Sequence, residues 1–109
     1  MKVVKKYYEF GRGARGEEEV VENTSLKTWR CTQILCYAST YNPSELDTYL
    51  KIGERRVYPY DGALNTDAGL APFPADFRLP PHSTLKLYYN NASDSTQSVV
   101  LVLVFEEEE

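Results

Sequence analysis

The eight residues Ser98-Val99-Val100-Leu101-Val102-Leu103-Val104-Phe105 run straight into Glu106-Glu107-Glu108-Glu109. Seven consecutive apolar residues, mostly β-branched and set just after a polar turn, predict a strand that is apolar on both faces. One small core rarely covers both faces of a strand, so this stretch raises the question of what lies on the second face. The two answers are an oligomer interface and the irregular connection at residues 61–81. Seven apolar residues are far too few to span a membrane as a helix. The glutamates that follow act as a solubilising stop on an aggregation-prone strand.

Working back from this strand, residues 90–95 (Asn-Asn-Ala-Ser-Asp-Ser) are a turn, and residues 84–90 alternate with Leu85, Leu87 and Tyr89 inward. Residues 61–81 hold Gly62, Gly69, Pro72, Pro74, Pro80 and Pro81 and read as a long connection with one short strand near residues 77–79. Connections of this length carry the chain between sheets in Greek-key and jelly-roll sandwiches. Leu46–Ile52 alternates cleanly with Leu46, Thr48, Leu50 and Ile52 inward, and residues 53–55 lead into a hairpin partner at 56–60. A helical turn over residues 44–47 is the competing reading there. Residues 26–41 are the longest strand-like stretch, with Trp29, Cys31, Leu35 and Tyr37 on one face and Ile34, Cys36 and Ala38 on the other. Gln33 interrupts the first face, which predicts a bulge or a face switch near it. Lys2–Phe10 reads as a first strand or an extended arm, and residues 11–16, with three glycines in six, read as a mobile loop. The predicted fold is all-β: six to eight short strands in an antiparallel two-sheet β-sandwich of jelly-roll or Greek-key type, with an extended N-terminal arm. The chain divides into residues 1–25 (arm or first strand, with the Gly/Arg loop), 26–105 (sandwich) and 106–109 (acidic tail).

The length of 109 residues fits one domain that buries roughly 65% of its unfolded surface. The net charge of −4 resides entirely in the last four residues, and the body before them is neutral. A neutral body argues against nucleic-acid binding, which needs a basic field. Residues 1–16, by contrast, carry Lys2, Lys5, Lys6, Arg12 and Arg15 against Glu9 alone, so the two ends are oppositely charged. The first residues show no apolar signal segment, which points to synthesis in the cytoplasm.

Catalytic patterns are missing from the sequence. His82 is the only histidine and sits in a loop after two prolines, which removes multi-histidine metal sites and weakens histidine-dependent pairing. Cys31 and Cys36 lie five apart, on opposite faces of a regular strand, and read as free buried thiols rather than a disulfide. Residues 61–67 (Asp-Gly-Ala-Leu-Asn-Thr-Asp) gather oxygen ligands, yet their spacing is not that of a calcium loop, and turn chemistry accounts for them. No catalytic residue, cofactor or metal is expected. Asn23-Thr24-Ser25 and Asn91-Ala92-Ser93 match the glycosylation sequon and, without a signal peptide, read as chance matches.

Two kinds of recognition remain. A charged, flexible N-terminal segment can order against a neighbouring protein surface, with Tyr7, Tyr8, Arg12 and Arg15 as the candidate contacts. Nine tyrosines also offer a sugar-binding platform, with Tyr88, Tyr89, Asn90 and Asn91 as the candidate residues. β-Propensity alone explains tyrosines on half-buried sheet positions.

Residues 79–91 (Leu-Pro-Pro-His-Ser-Thr-Leu-Lys-Leu-Tyr-Tyr-Asn-Asn), the apolar strand at 99–105 and the strand Leu46–Ile52 feeding a tight hairpin together resemble a known class. It is the small β-sandwich capsid decoration, or cement, proteins of tailed bacteriophages. The resemblance covers about the last two-thirds of the chain, and His82 stands where such loops commonly have glycine. It implies a non-enzymatic virion protein on the capsid surface. Its partners would be copies of itself, often as trimers, and a major capsid protein, with neither nucleic acid nor membrane involved.

Overall fold

The computed structural model describes residues 1–67 and 73–108. Among the described residues there are eight strands: β1 (Lys2–Phe10), β2 (Arg15–Glu22), β3 (Trp29–Ala38), β4 (Leu46–Ile52), β5 (Arg55–Tyr58), β6 (Phe73–Leu79), β7 (Thr84–Asn91) and β8 (Gln97–Glu107). A single helical turn, α1 (Leu64–Asp67), follows β5. The strands form two antiparallel sheets, ordered β1-β8-β3-β6 and β2-β7-β4-β5.

The order has a simple origin. Lys2 pairs with Phe105, Arg15 with Asn90, Trp29 with Leu79, and Ile52 with Arg55, so each of these pairs is centred close to Gly53 and Glu54. The chain is thus one long hairpin, turned at Gly53 with a left-handed φ of 60°, and folded over so that its strands alternate between two layers. Each connection except β4–β5 passes from one sheet to the other, which is the jelly-roll topology.

The inner faces of β4 and β7 follow the alternation read from the sequence, and the apolar run of β8 divides into an inner and an outer row. Val99, Leu101, Leu103 and Phe105 of β8 meet Leu85 and Leu87 of β7 and Leu46 and Leu50 of β4 in one core, all at most 1% exposed. Burying each such side chain contributes about 1.5–3 kcal/mol. Trp29, Phe77 and Phe105 close one end of this core, and Phe10 stacked on Tyr89 at 4.0 Å closes another part.

Several expectations change. Lys2–Phe10 is a strand paired along its whole length with β8, not a free arm. Arg15 and Gly16 already belong to β2. The turn at residues 11–14 is held by the Ala14 N–H on the Gly11 carbonyl, and a Cβ on Gly16 would stand 3.1 Å from the Tyr89 hydroxyl. The acidic tail is drawn into the fold through Glu107: Glu106 and Glu107 continue β8 opposite Arg30 and Trp29, and the Glu108 N–H donates to the Thr28 carbonyl. Glu109 and residues 68–72 of the long connection lie outside the described residues. The strand expected near residues 77–79 spans Phe73–Leu79. Residues 43–45 form a turn, not a helix, with the Glu45 and Leu46 N–H groups on the Asn42 carbonyl.

The predicted irregularity in β3 falls between Cys31 and Gln33. The bulge advances the strand by one residue. Trp29 and Cys31 point inward before it, Ile34 and Cys36 point inward after it, and Leu35 and Tyr37 turn outward with Gln33. The two cysteines therefore share the inner face rather than lying on opposite faces, and both are free.

Candidate functional site

The second face of β8 is the most unusual surface on the molecule. Val100, Val102 and Val104 point away from the core and stay half-buried. Their neighbours on the same face are Val3 and Tyr7 of β1, at 56% and 59% exposure, and Leu35 and Tyr37 of β3, with Tyr37 at 45%. The rows run Val3–Val104–Gln33, Lys5–Val102–Leu35 and Tyr7–Val100–Tyr37 across β1, β8 and β3. A shallow apolar depression of about 60 Å³ lies among Gln33, Ile34, Leu35, Val102 and Val104. An antiparallel sheet facing water normally alternates apolar-in with polar-out, and here three consecutive outward positions of a central strand are valine. Charges rim the patch and compensate one another: Arg30 lies 3.8 Å from Glu106, and Arg78 lies 2.6 Å from Glu108.

The other sheet presents an ordinary polar outer face. Tyr88 stacks on Tyr49 at 4.4 Å, and the Arg56 guanidinium lies over the Tyr49 ring at 4.5 Å. Beside them Lys51, only 8% exposed, binds Glu17 at 2.5 Å and Glu54 at 3.5 Å. The hydrogen bond from Lys51 holds the Glu17 carboxyl below its usual range, and the same bond raises the Lys51 ammonium.

The structure separates the sugar-platform candidates. Tyr88 and Asn90 lie on the polar outer face, half-buried. Tyr89 turns inward onto Phe10, and Asn91 is fully buried. The Asn91 amide donates to the carbonyls of Phe10, Gly11 and Ser95, and its oxygen accepts from the Ser93 N–H and hydroxyl. Asn91 and Tyr89 are corner and core residues, because alternation from Leu85 and Leu87 carries the odd positions inward. Tyr49, rather than Tyr89, stands beside Tyr88 on this face; the cross-strand register Tyr49↔Tyr88 brings it there.

The partner-contact candidates also divide. Tyr7 is exposed on the apolar face, with its hydroxyl on Glu9 at 2.7 Å. Tyr8 is half-buried on the inner side, its hydroxyl donates to the Glu19 carbonyl at 2.9 Å, and burial pushes its pKa up to about 12. Arg12 and Arg15 are exposed on the β1–β2 turn and the start of β2. They do not converge with Tyr7 into one site.

Elsewhere the chemistry is structural. Burial pushes both thiols up to about 12, so neither Cys31 nor Cys36 offers a thiolate. Asn65, in the segment that gathered oxygen ligands, is fully buried with its amide on the Thr40 and Leu46 carbonyls and its oxygen accepting from Thr48. Among the described residues no three His, Cys, Asp or Glu side chains converge to hold a metal ion. His82 is exposed with a left-handed φ of 63°, the conformation glycine takes most easily, and its N–H donates to the Asn23 carbonyl. A cleft of about 420 Å³ opens among Met1, Lys2, Trp29, Phe105, Glu106 and Glu107, with the Lys2 ammonium 4.7 Å above the Trp29 ring.

Fold and surface together define a class: a jelly roll, eight-stranded among the described residues, whose central strand β8 is apolar on both faces. No protein-family model matches this chain, and no curated protein does.

Proposed function

We propose that the protein is a non-enzymatic structural subunit of the capsid-decorating kind, joining copies of itself through the outer face of the β1-β8-β3-β6 sheet. The carrying observation is the half-buried row Val100, Val102 and Val104 with Val3, Leu35, Tyr7 and Tyr37 around it. A second copy suits this face because Arg30 with Glu106 and Arg78 with Glu108 already cancel in pairs at its rim, which leaves Lys5, beside Val102, as the basic charge that a second copy must accommodate. The jelly roll also occurs in viral capsid subunits, which supports the capsid setting by analogy of fold alone.

Sedimentation velocity tests the reading. The native chain should form assemblies that grow as its concentration is raised through the micromolar range. Val102→Lys should reduce them while leaving the far-ultraviolet circular dichroism unchanged. A native chain that stays at 12.5 kDa throughout overturns the self-association.

A second reading is glycan attachment through the other sheet, favoured by the Tyr49–Tyr88 stack beside Asn90. A glycan array with native protein and Tyr88→Ala decides it, and the absence of any bound glycan removes it.

A further inference from the structure

Both sheets end, on one side of the sandwich, in a long strand with one unpaired edge: β1 in one sheet and β2 in the other. The two edges carry opposite charge. β1 has Lys2, Lys5 and Lys6, with Glu9 near its end; β2 begins with Arg15 and continues Glu17, Glu18, Glu19 and Glu22. Among the described residues, no ion pair engages Lys5, Lys6, Arg15, Glu18 or Glu19.

We propose that two copies of this chain pair edge to edge, β1 of each against β2 of the other, to form a two-fold dimer with both sheets continuous. This deepens the assembly reading above and rests on it. A two-fold axis along the strands exchanges the layers and brings each β1 antiparallel to the partner's β2. With Lys6 opposite the partner's Glu18, the same register places Lys5 opposite the partner's Glu19, Glu9 opposite the partner's Arg15, and Val4 opposite the partner's Val20.

The faces agree as well as the charges. Lys6 and Val4 are on the inner side of β1, opposite Leu101 and Leu103, and Glu18 is on the inner side of β2, opposite Leu87; Val20 is buried. Lys5 and Glu9 are on the outer side, opposite Val102 and Ser98, and Glu19 and Arg15 are on the outer side, opposite Lys86 and Asn90. Within one chain these outer pairs cannot meet, because they lie on opposite outer surfaces of a sandwich whose layers are about 10 Å apart. The complementarity therefore has its use between chains. Inward Lys6 and Glu18, and the bulge between Glu19 and Val21, also discourage pairing with an arbitrary strand, so the edges select an oppositely charged one.

The test uses the Val102→Lys chain, in which association through the apolar face is removed. This chain should still sediment as a dimer, at twice 12.5 kDa, at about 100 μM and low salt, and dissociate as salt rises toward about 1 M. Adding Lys5→Glu with Lys6→Glu makes both edges acidic, and adding Glu18→Lys with Glu19→Lys makes both basic. Each should weaken dimerisation by about tenfold or more. An equimolar mixture of the two should dimerise again, since each β1 then meets an opposite β2. A monomeric Val102→Lys chain, edge variants that dimerise as before, or a mixture that stays monomeric overturns the edge pairing. None of these touches the apolar-face reading, which is judged on the native chain against Val102→Lys.

Discussion

Glu17 and Lys51 show how much one side chain here depends on another. They lie on β2 and β4, with β7 between them, so their bond spans three strands of the second sheet. Glu17 titrates below 4.5, so its stabilising contribution is complete above that value and is lost as pH falls through the lower folded pKa. Lys51 titrates above 10.5, so its contribution is complete below that value and is lost as pH rises through the higher folded pKa. Glu17→Gln should lower the thermal midpoint at neutral pH and flatten the acid limb, so that variant and native midpoints converge as pH falls through the lowered folded pKa of Glu17. Thermal melts across pH check this, and parallel curves would show that the pair does not govern the acid limb. Sequence reading missed this pair. Residues 34 positions apart become neighbours only through the β2-β7-β4 order.

At the scale of elements, two corners of the jelly roll use the same device. Asn23, after β2, donates to the Lys27 and Leu79 carbonyls and accepts from Ser25. Asn91, ending β7, donates to the Phe10, Gly11 and Ser95 carbonyls and accepts from Ser93. The two sequon matches are these corners. The Asn-x-Ser spacing is what an asparagine oxygen needs to accept from the N–H two residues on. Both asparagines are fully buried, so neither amide is open to modification in the folded chain. Asn23→Ala and Asn91→Ala should each cost about 2–4 kcal/mol, because several buried carbonyls lose their donor. Urea unfolding checks this, and a loss below about 1 kcal/mol would mean that water replaces the amide.

For the molecule as a whole, the pairs β1–β8, β2–β7, β3–β6 and β4–β5 close loops centred on the same hairpin, the pairs β3–β8 and β4–β7 join them into two sheets, and the core lies between the layers. Cys31 and Cys36 report on that opening. Their thiols stay protonated up to about 12 and are fully buried. At about pH 8 neither should react with Ellman's reagent until the chain unfolds globally, and both should react in concentrated guanidinium. Fast reaction of the native protein would reveal local opening of β3.

The sequence by itself determined the two-sheet β class, the inward residues of β4 and β7, and the bulge in β3. Period-two alternation and turn chemistry are local, and each strand carries them unaided. Tertiary structure alone decided that Lys2–Phe10 is a strand, that Asn91 is buried while Tyr49 joins Tyr88, and that the outer valines of β8 stay half-exposed. Those outcomes depend on which strands become neighbours, and neighbours in a jelly roll are set by the wrapping of the whole hairpin, not by any single stretch of it.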